Sequence, residues 1–456
     1  MSFDSERPFQ LEELFFSITD LHGKIKVGNE VFARVSGYEA DELRGAPHSI
    51  IRHPDMPRCV FKLLWDRIQA GQSIAAYVKN RAKDNSYYWV MAFVSCIPEG
   101  YLSIRFKPSA KSVATVAALY KELRDAELAI EREPGGLKQD AIECSSALLV
   151  QRLQEFGFES YDAFIESFFF ADFCDRHHRL RGRHQPGSAL RNGHEHTERL
   201  LQKIVNEVGQ ILDREEDFTS LRTRVASATD LVSALSLGVE RASLNMTVRS
   251  AKCGPAGDPL SVISEWLRSG SLRVGSELQK LLAPVEKELQ RVRSGLFLLT
   301  TSELQVEMIR YFMRELGQFG EAARGYSEQE AQDLMTLLST TAEATFMQSL
   351  GELQLVGKAI RNVNLSFSNL EREVLGLGLA HVSGRVECVR MPDAGSLEVI
   401  LHEVMTRIDE ATEQLKTLQD TFSAMDKVMS NFATSSTEIA NCYTELRRAS
   451  QATTSI

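Results

Sequence analysis

Apolar side chains in the second half of this chain recur in alternating steps of three and four residues, and few folds accept that pattern. One run is Phe218, Leu221, Val225, Ala228, Val232, Leu235, Val239 and Ala242. A second is Val274, Leu278, Leu281, Val285, Leu289, Val292, Leu296 and Leu299, after a break at Cys253-Gly254-Pro255-Ala256-Gly257. Helices buried every 3.5 residues must wind against a partner, and a Gly/Pro break between two of them makes an antiparallel hairpin. The plan then repeats: Phe346, Leu350, Leu353, Ile360, Val363, Phe367, Leu370, Val374 and Leu377 lead to Met391-Pro392-Asp393-Ala394-Gly395. Beyond it come Val404, Ile408, Ala411, Leu415, Leu418, Phe422, Met425, Met429 and Phe432. An internal repeat of this length predicts two helical hairpins, over residues 196–305 and 331–447. They turn near Gly254–Gly257 and Pro392–Gly395, with Val239 and Val274 at facing positions.

Residues 8–108 follow a different rule. Leu14 to Thr19 and Lys24 to Val27 are strand-like and joined at His22-Gly23, while Tyr87–Ile97 and Gly100–Phe106 form a hairpin turning at Pro98-Glu99-Gly100. Val60, Leu63, Leu64, Arg67 and Ile68 recur at helical spacing between them. Strands at both ends and helices in the middle predict one antiparallel sheet with helices packed on one face. Residues 110–195 read as a connecting helix from Val116 to Ile130, then a small helical insert with an aromatic face of Phe156, Phe158, Tyr161, Phe164, Phe168 and Phe169. Arg181 to Gly193 reads as a linker. The fold class expected is α+β at the N-terminus, followed by a mainly α-helical coiled-coil region.

Specific motifs accompany this plan. Thr19-Asp20-Leu21-His22-Gly23-Lys24-Ile25, Asn29-Glu30-Val31-Phe32, the run Ile51-Arg52-His53-Pro54-Asp55-Met56-Pro57, Val78-Lys79-Asn80-Arg81 and Tyr87-Tyr88-Trp89-Val90 follow one another in the first quarter of the chain. Together they resemble a PAS sensor domain of the aerotaxis-receptor type. The resemblance implies a PAS fold over 8–108 and a site for FAD formed by Arg52, His53, Asn80, Asn29 and Trp89. Arg52, His53 and Asn80 supply hydrogen-bond donors of the kind that flavin carbonyls or phosphates need. Where the flavin-binding pattern has a tryptophan before the KNR strand, this chain has Ile74. A haem, the lesser expectation, would require an axial ligand from His53, His22 or His48.

The hairpin tips resemble those of methyl-accepting chemotaxis receptors, in Leu244-Asn245-Met246 through Gly254 and in Val386-Glu387-Cys388-Val389-Arg390. Arg249 stands where that family has a glutamate, and Met405 where it has an arginine. Reversing a charge at a docking tip turns attraction into repulsion. Coupling to the chemotaxis kinase and its adaptor is therefore not expected, and the hairpins are assigned to dimerisation or to another signalling partner.

Composition closes off other classes. The net charge of −10 argues against a nucleic-acid partner. No apolar run reaches the ~20 residues of a membrane span, and the N-terminus lacks signal-peptide character. Seven cysteines without CxxC spacing suit reduced thiols in the cytoplasm. Cys174, His177, His178, His184, His194 and His196 crowd one stretch, but the arginines among them oppose a metal ion, and none is assigned. GxxxxGK, GxSxG and HExxH are missing, so an enzyme is not expected. The expected function is a cytoplasmic, homodimeric sensor of redox state, oxygen or a small ligand that relays through coiled-coil helices. The alternative is a non-sensing scaffold that uses the PAS domain to dimerise.

Overall fold

A computed structural model describes residues 5–181, 195–318, 327–390 and 395–453. The expected linker before Gly193, His184, His194 and the second hairpin turn at Pro392 fall outside the described residues. The chain divides into two compact units: residues 1–212 with 293–350 and 436–456, and residues 213–292 with 351–435.

The first unit is built on strands β1 (Phe15–Thr19), β2 (Ile25–Gly28), β3 (Ile74–Arg81), β4 (Tyr87–Ile97) and β5 (Gly100–Phe106). They form one sheet in the order β2-β1-β5-β4-β3, with every pairing antiparallel. The β4–β5 hairpin closes tightly because residue 100 is glycine. Its φ of +153° lies outside the range of L side chains, and a Cβ there would meet the Thr19 carbonyl oxygen at 1.8 Å. Between β2 and β3 run α1 (Glu30–Ser36), α2 (Ala40–Leu43), a 3-10 turn (His48–Ile51) and α3 (Arg58–Gln69).

Helices cover both faces of this sheet, which corrects the expectation of one. Every residue of β5 is buried, and so is most of β4. Strands apolar on both sides need two covering layers. The second layer comes from α4 (Ala110–Arg132), α5 (Lys138–Glu155) and α6 (Tyr161–Arg181), followed by α7 (Glu195–Leu212). The segment expected as a connecting helix and a small helical insert therefore packs into the first unit's core. Phe169 of α6 packs edge-on against Phe106 at 5.5 Å, and Asp172 accepts a hydrogen bond from Tyr77 Oη at 2.8 Å. Phe156, expected on the aromatic face, is instead largely exposed.

Four long helices follow: α8 (Glu215–Lys252), α9 (Asp258–Gln318), α10 (Glu328–Val389) and α11 (Gly395–Thr453). The C-terminal part of α9 belongs to the first unit and lies on the back of the sheet. There Phe297 meets Phe93 at 6.0 Å and Phe312 meets Phe16 at 5.3 Å.

Two carboxylates from this back layer cap the helices on the other side. Asn29 and Pro57, the residues before α1 and α3, make no side-chain cap of their own. Glu315 of α9 accepts the Glu30 N–H at 2.7 Å and the Asn29 amide at 3.1 Å. Glu127 of α4, fully buried, accepts the N–H groups of Arg58 at 2.7 Å and Cys59 at 3.1 Å, and the Ser145 hydroxyl at 2.9 Å. A helix start needs acceptors for its free N–H groups, and its dipole favours an anion there.

In the second unit α8, α9, α10 and α11 pack as a four-helix arrangement within one chain. The turn between α8 and α9 is a 3-10 segment at Gly254–Gly257. Leu221, Val225, Val239 and Ala242 of the first heptad run are buried, and the α11 run from Val404 to Phe432 is buried throughout. Leu281 is half-exposed while its neighbour Leu282 is buried, because a straight helix of 3.6 residues per turn drifts off a 3.5 repeat. Ser236 lies against both Ser271, Oγ to Oγ at 3.2 Å, and Gly275, so this register sets Val274 level with Ser236 and not with Val239; Ser250 and Ser261 meet at 2.7 Å. Small residues bring the helices close: a Cβ at Gly270 would meet Leu377 at 2.7 Å, and one at Gly384 would meet Leu401 at 3.0 Å.

Candidate functional site

A cavity of about 290 Å³ lies between the sheet and the helices that follow β2. Strand alternation decides its wall. Ser17 and Thr19 of β1, Val78 and Asn80 of β3, Ala92 and Val94 of β4, and Tyr101, Ser103 and Arg105 of β5 face inward. The other side is Phe61, Leu64, Trp65 and Ile68 of α3, with His48, Ile51 and Arg52 from the preceding turn. Gly23 allows Trp65 to close over one end: a Cβ there would stand 2.8 Å from the indole.

Arg52 and Asn80 come together because the chain at Arg52 bridges the outer edge of β3 at Asn80. The Arg52 guanidinium lies 3.5 Å over the Phe61 ring centre. Burial lowers its pKa to about 10, which leaves it charged at neutral pH. Asn80 is buried, and its amide nitrogen has no hydrogen-bond partner.

His53, Asn29 and Trp89 are corrections to the expected site. None lines the cavity. His53 is buried beside Tyr87, its Nδ1 accepts the Asp55 N–H at 3.2 Å, and burial next to Lys79 lowers its pKa to about 4. Trp89 is odd-numbered on a strand whose even positions face inward, so its ring lies against Tyr120 of α4 at 6.2 Å. Asn29 is a strut, accepting the Phe16 N–H at 3.1 Å and donating to the Leu14 carbonyl at 3.1 Å. Ile74 is buried opposite Val94, and the cavity takes its aromatic surface from Phe61, Trp65 and Tyr101 instead.

Arg105 was missed, although one signal pointed to it. It is the only charged residue in the apolar strand Tyr101-Leu102-Ser103-Ile104-Arg105-Phe106, and it has the parity of Tyr101 and Ser103. Its Nη2 donates to Ser17 Oγ at 3.0 Å and to His48 Nε2 at 2.6 Å, while Nη1 is buried without a partner. Burial lowers its pKa to about 10. His48, part-buried beside this cation and stacked on Phe32, is pushed down by desolvation to about 3 and is neutral. The wall therefore holds two guanidinium cations and no carboxylate. Such a wall suits a flat ligand bearing carbonyl or anionic oxygens.

The donor set tests the cofactors expected from the sequence. The unmet Asn80 amide and Arg105 guanidinium nitrogens, beside aromatic rings, fit a flavin. A haem fits poorly, because His53 points elsewhere and His48 Nε2 is already held by Arg105. Of the three expected axial ligands, His22 and His48 line the wall, and His48 is the one held by Arg105.

A family model described as PAS fold matches residues 25–101. Over 123 residues the chain is 38% identical to the aerotaxis receptor of Escherichia coli (strain K12). That match covers 25% of this chain and 24% of the receptor, so the chain spans about a quarter of the length of that relative. Two solved structures of light-oxygen-voltage domains align with 24% of the chain. One, studied with a flavin analogue, is 18% identical over 88% of its length with a TM-score of 0.22. The other is the light state of the blue-light photoreceptor Aureochrome1, 22% identical over 90% of its length with a TM-score of 0.21. Among the described residues no helix is long and apolar enough to cross a membrane.

Proposed function

With a PAS fold at residues 25–101 as the starting point, we propose that this chain is a sensor, not a catalyst, whose cavity holds the ring system of a flavin. The observation that carries this reading is the pair of unmet donors, Asn80 Nδ2 and Arg105 Nη1, in a cavity wall without a carboxylate. Leaving buried donors unmet costs about 1–3 kcal/mol each, which a ligand's acceptors would recover. The volume sits at the low end of the ~300–1,000 Å³ usual for small-molecule sites. It has room for the ring, and the rest of FAD would lie outside it.

The bound flavin would supply reversible uptake of electrons. Asn80 and Arg105 would hold its polar edge, Trp65 and Phe61 would exclude water, and Arg52 would favour added negative charge. Any shift of α1 or α3 that accompanies this would load Glu315 and Glu127, the carboxylates that cap those helices, and so reach α9 and α4. That route supplies the element through which a sensor biases its output.

The working form is taken to be a dimer. Leu375, Leu379, Val382, Val386 and Val389 of α10 are exposed at heptad spacing, and the occupant proposed for that seam is the same helix of a second copy. Self-association should be visible by sedimentation and weakened by Leu379→Glu with Val386→Glu.

The test of the sensor reading is an absorption spectrum of the full chain as purified, after reconstitution with FAD, and after reduction. A flavin spectrum that bleaches reversibly is expected, with occupancy lost in Asn80→Ala and in Arg105→Met. A folded protein that neither carries nor takes up flavin would return the chain to the scaffold reading.

A further inference from the structure

Three side chains of the first unit converge where α6 meets α9, away from the cavity. His177, Glu303 and Glu307 each offer a ligand atom, and these atoms lie within 4.8 Å of one another. Glu303 and Glu307 are one helical turn apart and share a face of α9. His177 reaches them from α6, its Nδ1 3.0 Å from Glu303 Oε1. Two ligands each ~2.1 Å from one ion, at the angles of a tetrahedron or octahedron, stand about 3.0–3.4 Å apart. The pair is already at chelating separation.

A second observation points to an ion. Glu303 is 0% exposed, and its Oε2 is buried with no hydrogen-bond partner. An unmet carboxylate oxygen is among the most costly atoms to bury. His177 and Glu307 are each 16% exposed, so the site has a side open to solvent. Arg176 pairs with Glu307 and is held by the Leu11 carbonyl at 3.1 Å, which orients that carboxylate as the outer partners of metal ligands do.

We propose that His177, Glu303 and Glu307 bind one divalent transition-metal ion, which clips α6 to α9. One imidazole nitrogen with two carboxylates suits Zn²⁺, Mn²⁺ or Fe²⁺ better than the all-oxygen preference of Ca²⁺ or Mg²⁺. Three protein ligands leave coordination positions for water. The ion's two positive charges and that of Arg176 face the two carboxylates, leaving the cluster with one net positive charge, and the imidazole binds neutral. Cys174, the neighbour of His177 that the sequence singled out, is not among the three ligands. The competing arrangement is an imidazolium–carboxylate pair between His177 and Glu303, which needs no ion.

The full chain, stripped with a chelator and desalted, is titrated with Zn²⁺ by calorimetry and with Co²⁺ by visible absorption. One ion per chain is expected, with affinity reduced at least tenfold in Glu303→Gln and in His177→Gln and retained in Cys174→Ser. Zn²⁺ should raise the melting temperature of the native chain and not of those two variants. Glu307→Gln, at the solvent side, keeps the test decisive if the buried variants fail to fold: it retains a carbonyl oxygen for Arg176, and it should weaken binding and lose the Zn²⁺-induced rise in melting temperature, each measured against its own apo form. The proposal is overturned if the folded native chain shows no saturable binding, as the imidazolium pair requires. Binding that survives unchanged in Glu307→Gln and the foldable buried variants overturns it as well.

Discussion

Replacing Glu315 with glutamine should remove a pH dependence from the stability of the first unit. Glu315 is 6% exposed, and burial raises its pKa from 4.5 to about 7 against the opposing hydrogen bonds from Glu30 and Asn29. A carboxyl with a raised folded-state pKa binds its proton more tightly in the native chain than in the unfolded one. Its stabilising contribution is complete below about pH 4.5 and is lost as pH rises through about 7. A shift of ~2.5 units corresponds to ~3 kcal/mol at about 1.4 kcal/mol per unit. Most of that loss falls between pH 5 and pH 8. Glutamine keeps a carbonyl oxygen to accept the Glu30 N–H and has no proton to lose. Chemical denaturation at intervals from pH 5 to pH 8, native against Glu315→Gln, reads the difference directly. The native curve should fall by about 2–3 kcal/mol more than the variant's. Parallel curves over that range would refute the reasoning, whatever other carboxyls titrate there, because those are common to both proteins.

Three further outcomes follow from named contacts. Tyr77→Phe removes the 2.8 Å hydrogen bond to Asp172 and leaves that buried carboxyl with Ser112, at 2.7 Å, as a remaining donor. It should cost about 1–3 kcal/mol, read as a lower thermal midpoint. Gly100→Ala drives a Cβ against the Thr19 carbonyl, so a loss of more than about 3 kcal/mol, or failure to express in soluble form, is expected. A double cysteine variant at Ser236 and Ser271 should oxidise to an intrachain disulfide, whereas a pair at Val239 and Val274 should not; mass spectrometry distinguishes the two.

The sequence by itself determined the elements. Alternation placed the β4–β5 hairpin at Tyr87–Ile97 and Gly100–Phe106, and the 3–4 stepping placed long helices on both sides of Gly254–Gly257, because those periods are local properties of strand and helix. Motif resemblance also brought Arg52 and Asn80 to one site. Tertiary structure decided which faces meet. Trp89 and Asn80 both belong to recognisable motifs, yet strand parity sends one to the back layer and the other to the cavity. Arg105 became a site residue only once β5 lay between β1 and β4, with Ser17 and His48 in reach. Glu127 caps a helix 69 positions earlier and Glu315 one 285 positions earlier, and no local spacing announces such pairs. α6, which alone looks like an independent aromatic helix, is drawn into the core because the sheet is apolar on both faces and needs a second cover. Local period states which side of an element is apolar. Which apolar sides join, and which polar groups they enclose, depends on the total surface buried by the whole chain.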